Sequence, residues 1–276
     1  MRKVAVIGNI NFDVNAKGVL SKNTEENRIN EIRLTLGGTA ANTAVSLANL
    51  GLSVDIYGSI GDDDFGNILI DKLEKRNINT QYIKLSKDAK TGFCFINVED
   101  NGQRHLFTYR GSNENYLPDL KEKYDYIHMA GLNTKQVSHI LNQKRSFKRS
   151  SYNPGGIVTF EESKKILQIS KEIDIIIFNE IEYNHILKDG MPLSEIIIKT
   201  LGKNGSEANN IHAKPYKVRV IDTTGAGDAF NAGFIYSYLN GNDLPKCLRF
   251  GNKVGSFICG HQGANLIFNL SEIKKI

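Results

Sequence analysis

Residues 4–8 form a short apolar run closed by a glycine, the pattern of a buried parallel strand. Gly37-Gly38 then opens a stretch of small residues from Thr39 to Leu50, stopped by Gly51, which predicts a helix. Residues 53–60 predict the next strand. Phe65, Ile68, Leu69 and Leu73 recur at i, i+3, i+4 and i+8, laying one apolar face along a second helix. Alternation at this spacing predicts a parallel sheet joined by right-handed crossovers. It resumes with strands at 124–130, 149–152 and 174–178, a helix at 179–187 and strands at 195–201 and 218–221. Two long helices close the chain, at about 226–240 and 243–261.

Residues 91–98 and 103–110 break that rhythm. Phe93 and Phe95 share one face, as do Phe107 and Tyr109, about a Glu99-Asp100-Asn101-Gly102 turn, and this predicts a hairpin. Segments 12–19 and 28–36 read as further strands beside it. Together they predict a small β-sheet standing off the main body; the alternative is an antiparallel extension of the main sheet.

Composition narrows the class. The chain has 276 residues, enough to bury a large core without disulfide or metal. It is 40% hydrophobic and 24% charged, which excludes a disordered chain. The net charge of +5 is mild and forms no basic stripe, so nucleic acid is not an expected partner. Cys94, Cys247 and Cys259 fit neither a disulfide framework nor a zinc site. The apolar run at the N-terminus is too short for a signal peptide, and Ile175-Ile176-Ile177-Phe178 is too brief to span a bilayer. A cytoplasmic protein without a membrane partner is the expectation, and at this size an enzyme.

Chemistry concentrates at Asp222-Thr223-Thr224-Gly225-Ala226-Gly227-Asp228, where a glycine-rich turn runs into a helix. Free N–H groups at such a helix start bind anions, and glycines let backbone approach a phosphate. A carboxylate beside that cradle repels the ligand, unless Asp228 accepts a proton from a hydroxyl attacking the phosphate. The alternative is that Asp228 only stabilises its helix N-terminus. No P-loop, dinucleotide fingerprint, nucleophile elbow or zinc helix competes with this segment.

With these residues the chain resembles the ribokinase (phosphofructokinase B) family of carbohydrate and nucleoside kinases. Asp222 to Asp228 matches that family's C-terminal signature, and Gly37-Gly38-Thr39-Ala40-Ala41-Asn42 its N-terminal one. Gly8-Asn9-Ile10-Asn11-Phe12-Asp13, Asn179-Glu180-Ile181-Glu182, Thr200-Leu201-Gly202-Lys203-Asn204-Gly205 and residues 252–264 match further motifs, in family order. The resemblance implies an α/β fold with a ribokinase-like, mostly parallel central sheet, flanking helices and a small β-sheet lid built from about 12–19, 28–36 and 91–112, all in one domain. It implies ATP as donor with Mg2+, and leaves room for a monovalent cation. Asp228 becomes the catalytic base, with Gly225, Ala226 and Gly227 stabilising the transferring phosphoryl group. Asn11, Asp13, Gly37, Gly38 and Asn42 are implied to hold substrate hydroxyls. Asn179, Thr200, Gly202, Gly205, Thr224 and Asn252 are implied on the nucleotide side, and Glu182 at the metal.

Two departures bear on specificity. Thr200 follows Asn179 too closely for the further helix that family members usually fit there, and the segment between Gly205 and Asp222 is short, so the hairpin beside the nucleotide is expected to be trimmed. Thr39-Ala40-Ala41 replaces the Lys-Gly-Ala of typical ribokinases. That leaves two acceptors open, a sugar or a nucleoside phosphorylated on its ribose 5′-hydroxyl. Phe107 or Tyr109 could stack on a base, pack at a lid–lid homodimer contact or fill the lid core. Arg110 could meet a carboxylate or phosphate, or be a surface charge. A non-catalytic binding protein of the same fold is the alternative from a different class.

Overall fold

A computed structural model of the chain describes residues 2–18, 25–99 and 104–275. The path runs β1 (Lys3–Gly8), β2 (Asn11–Lys17), β3 (Glu31–Gly37), α1 (Thr39–Asn49), β4 (Ser53–Gly61), α2 (Asp64–Glu74) and β5 (Ile83–Ser86). A hairpin of β6 (Gly92–Val98) and β7 (Arg104–Tyr109) leads through a 3-10 turn at Gly111–Asn113 to β8 (Tyr126–Ala130), α3 (Thr134–Leu141) and β9 (Ser150–Asn153). Then come α4 (Gly155–Ser170), β10 (Ile175–Asn179), α5 (Glu180–Ile186) and β11 (Ile196–Thr200). A short hairpin of β12 (Ser206–Ala208) and β13 (Ile211–Ala213) precedes α6 (Ala226–Leu239), α7 (Leu244–Cys259) and α8 (Leu270–Lys274).

Among the described residues, nine strands form the body sheet in the order β13-β12-β11-β10-β9-β8-β1-β4-β5. Every pair from β11 to β5 is parallel; β12 and β13 add an antiparallel edge. Burial on both faces explains why these strands read as unbroken apolar runs. Val4, Val6, Ile175 and Ile177 point into a core with α1, α6 and α7. Their neighbours Ala5, Ile7, Ile176 and Phe178 point into a second core with α3, α4 and α5.

The small sheet is separate, ordered β3-β2-β6-β7, so the alternative of a simple extension does not hold. Its register sorts side chains by the two-residue period. Phe12, Val14, Leu34, Phe95, Phe107 and Tyr109 share one face; Asp13, Asn15, Arg33, Thr35, Cys94, Ile96, Leu106 and Thr108 share the other. Helix α2 packs against the apolar face, with the Phe65 ring 4.6 Å from that of Phe12. On the predicted stripe of α2, Leu69 and Leu73 are buried in the core, whereas Phe65 and Ile68 stay partly exposed.

Residues 218–221 are not a strand. The segment has no sheet neighbour among the described residues; Ile221 and Asp222 instead donate their N–H groups to the Cys259 carbonyl at the end of α7, and Val220 and Ile221 face solvent. The hairpin between β11 and α6 is short, with three residues in each strand, and no helix lies between α5 and β11. Val19, the turn residues Asp100, Asn101 and Gly102, and Gln103 at the start of the predicted second hairpin strand lie outside the described residues.

Helix α7 is tied to the sheet edge by Asn252, whose buried amide donates to the carbonyls of Ala213 (2.8 Å) and Lys214 (3.1 Å). Asn252→Leu leaves both carbonyls without this donor. It is expected to cost about 1–3 kcal/mol of stability, read as a lowered midpoint in urea unfolding.

Candidate active site

The predicted residues gather where strands of the body sheet end and α1 and α6 begin, the edge at which open α/β sheets place their ligands. Both helix starts depend on glycine. Gly38 has φ +90°, and a Cβ there would run into the Asn9 carbonyl. Gly225, at φ +75°, lies so close to Ala264 that a Cβ would overlap that side chain. Asp222, which motif reading passed over as a ligand, shapes this turn. Its Oδ1 accepts from the N–H (2.9 Å) and hydroxyl (2.7 Å) of Thr224, and its Oδ2 from the Gly263 N–H (3.1 Å). The Thr224 hydroxyl is therefore engaged inside the turn. Around Gly227, by contrast, there is open space where a Cβ would sit.

Asn42, in the first turn of α1, donates from Nδ2 to Asp228 Oδ2 at 2.8 Å across 186 residues of sequence. Asp228 is buried, and burial pushes its carboxyl up to about 7; the Asn42 bond opposes this, and the charges of Asp13 and Glu182 add to it. Asp13 is likewise pushed up to about 7 by burial, and its Oδ1 has no hydrogen-bond partner among the described residues. Gly37 faces the Asp13 carboxylate so closely that any Cβ would overlap it. The Asn11 side-chain oxygen accepts from Asn113 Nδ2 at 3.0 Å.

On the neighbouring strands, Asn179 and Glu182 form a capping box at the start of α5. Asn179 Oδ1 accepts from the Glu182 N–H, and Glu182 Oε2 from the Asn179 N–H, each at 2.9 Å. Glu182 is buried, 5% exposed, and desolvation raises its pKa. Its Oε1 points toward Gly156, at the start of α4. Among the described residues no cluster of three His, Cys, Asp or Glu could hold a metal. A single carboxylate suits magnesium, which keeps several waters and binds chiefly through substrate phosphates. Thr200 ends β11, Gly202 (φ +54°) borders open space, and Gly205 (φ +92°) packs against the Ala213 carbonyl.

The remaining predicted residues, Asn252, Phe107, Tyr109 and Arg110, choose among the roles open to them. Asn252 spends its amide nitrogen on the β13 edge. Phe107 and Tyr109 lie on the face of the small sheet opposite to Asp13, because strand alternation puts them in register with Phe95 and Phe93 rather than with Cys94; stacking over a substrate held by Asp13 is thereby corrected. Arg110 reaches the site's rim, donating to the Gly131 carbonyl at 3.1 Å and pairing with Glu114 at 2.6 Å. Gly131 adjoins Asn9 and Thr39.

The family model for pfkB family carbohydrate kinases matches residues 1–269, and the chain belongs to that family. It is 31% identical over 244 residues to an uncharacterized sugar kinase of Archaeoglobus fulgidus, covering 80% of this chain and 96% of that protein. It is 26% identical over 287 residues to an ATP-dependent ribose-1-phosphate kinase of Halopiger xanaduensis, covering 96% and 94%. Among solved structures, the nucleoside kinase of Methanocaldococcus jannaschii superposes with a TM-score of 0.89 at 23% identity, over 100% of this chain and 97% of that one. The fold is thus ribokinase-like and the protein a kinase acting on a sugar-type substrate.

The two raised carboxyls have a consequence for stability. Native Asp13 and Asp228 hold protons at pH values where the unfolded chain has released them. The favourable state is present below the unfolded carboxylate range near pH 4 and is lost as pH rises through about 7. Thermal unfolding of the unliganded protein is expected at a lower temperature at pH 8 than at pH 5.5, with a smaller difference in Asp228→Asn. An equal shift in both proteins would contradict it.

Proposed function

We propose that the protein transfers the γ-phosphoryl group of ATP to a hydroxyl of a sugar or similar small polyol, with Asp228 as general base. The buried Asp228 carboxylate at the start of α6, held by Asn42, carries this reading. A carboxyl near pH 7 suits proton transfer in neutral solution. It also repels an arriving phosphate less than a full anion would. Asp13 orients the acceptor hydroxyls; the proton of the attacking hydroxyl passes to Asp228 as its oxygen bonds phosphorus and the bond to ADP breaks. The Gly225-Ala226-Gly227 start of α6 offers N–H groups to the oxygens of the moving phosphoryl group. Glu182 would hold magnesium, which when bound neutralises charge on the ATP phosphates. The small sheet acts as a lid that excludes water. Three free cysteines agree with a reducing, cytoplasmic setting.

A nucleoside acceptor is the second reading. The Asp13 face of the small sheet also carries Cys94, Ile96 and Leu106, an apolar strip on which a base can lie. A thermal-shift and turnover panel of ribose, fructose, sugar phosphates and adenosine separates the two. Asp228→Asn is expected to lower kcat by roughly 10²–10⁴ while acceptor binding persists. Undiminished turnover would sink the mechanism.

The opposite face of the small sheet suits a second copy of this chain. Ile32, Leu34, Phe107 and Tyr109 are each more than half exposed there, at 58, 53, 60 and 53%. Such an apolar patch marks an interaction surface. Light scattering is expected to give a dimer for the wild type and a monomer for Leu34→Glu/Phe107→Glu.

A further inference from the structure

The small sheet is joined to the body at four chain crossings: residues 9–11 into β2, Gly37-Gly38 out of β3, Thr91 into β6 and Arg110 out of β7. At the first of these, Ile10 lies between β1 and β2, outside both strands, yet is fully buried. Its backbone groups need partners there. Asn113, from the 3-10 turn after β7, supplies them. Its Oδ1 accepts from the Ile10 N–H at 3.1 Å, and its Nδ2 donates to the Ile10 carbonyl at 3.2 Å. The side-chain amide thus stands in for the strand that Ile10 lacks.

The same Nδ2 reaches Asn11 Oδ1 and the Arg110 carbonyl, each at 3.0 Å, so its two hydrogens are shared among three oxygens. Asn113 is only 2% exposed. Gly92, at the start of β6, makes room for it, since a Cβ there would overlap the Asn113 amide. The turn is itself anchored on the body. Ser112 donates from its hydroxyl to the Ser59 carbonyl at 2.8 Å, and Gln136 of α3 donates to the Asn113 carbonyl at 2.8 Å. One side chain therefore joins two of the four crossings directly and a third by packing.

We propose that Asn113 is a positioning residue for the acceptor. It orients the Asn11 amide and sets the angle at which β2 leaves the body, and β2 carries Asp13 two residues further on. This rests on the kinase reading above, in which Asn11 and Asp13 hold the acceptor. Asn113 touches neither the β10–β11 edge nor the start of α6, so its effect falls on the acceptor rather than on ATP.

The test is steady-state kinetics with whichever of ribose, fructose or adenosine the wild type phosphorylates. Asn113→Ala is expected to raise the KM for that acceptor about tenfold, the size of one lost buried hydrogen bond, with the KM for ATP unchanged. Asn113→Asp keeps the acceptor for Ile10 N–H but sets a carboxylate against three oxygens, and is expected to do at least as badly. In an Asn11→Ala background the effect of Asn113→Ala shrinks, because part of it travels through Asn11. Should Asn113→Ala not accumulate as folded protein, Asn113→Ser, which keeps one donor and one acceptor, is read in the same way. An unchanged acceptor KM, an equal rise in both KM values, or full additivity with Asn11→Ala overturns the assignment while leaving the kinase reading intact. A wild type inactive on every acceptor would instead overturn the kinase reading.

Discussion

The bond between Asn42 and Asp228 is the constraint around which the rest is arranged. A carboxylate taken out of water needs a hydrogen-bond donor, and here the donor comes from a helix 186 residues away. For both side chains to meet, α1 and α6 must start at the same end of the body sheet and pack closely. Small residues permit that approach: Ala40, Ala41 and Ala44 on α1 share a core with Ala229 and Ala232 on α6. Each helix also has to turn abruptly into its first residue, and Gly38 and Gly225 take the left-handed conformations that allow it. Glycine pairs that look like ligand motifs in the sequence thus have a mechanical role first.

Much of this was legible in the residue order, and the reasons are local. Strands buried on two faces announce themselves as apolar runs, and the capping box of Asn179 and Glu182 lies within four residues. The small sheet was visible through its alternation. What alternation cannot tell is which side of a strand meets the site. Phe107 and Tyr109 were candidates for the substrate side, and the register sets them on the other. Residues 218–221 have strand-like composition but no neighbour to pair with, and pairing is a tertiary property. Asn252 sits inside a family motif, yet its amide serves two carbonyls that only the folded hairpin brings near. Asn113 gave no signal, since of its partners only the Arg110 carbonyl is local, while Ile10 and Asn11 are over a hundred residues away.

The site is costly to the unliganded fold, and that cost is informative. Asp13, Asp228 and Glu182 are all buried, and all three have raised pKa values because burial disfavours their charged forms. Among the described residues, Asp13 Oδ1 and Asn42 Oδ1 in this site are buried without hydrogen-bond partners, as are Asn9 Oδ1 and Thr39 Oγ1, whose side chains lie against Gly131. Such atoms are unusual in a native interior. On the proposed kinase reading, a polyol would supply what they lack, because each of its hydroxyls both donates and accepts. On the proposed kinase reading, a divalent cation would supply what Glu182 lacks. On that same reading, burial that would be a defect elsewhere is complementary to a ligand rich in hydroxyls and a phosphate-bound metal. The Asp13 face of the small sheet sets a buried carboxyl beside Cys94, Ile96 and Leu106, whereas its other face exposes Ile32, Leu34, Phe107 and Tyr109, so strand alternation alone gives one small sheet two chemically different surfaces.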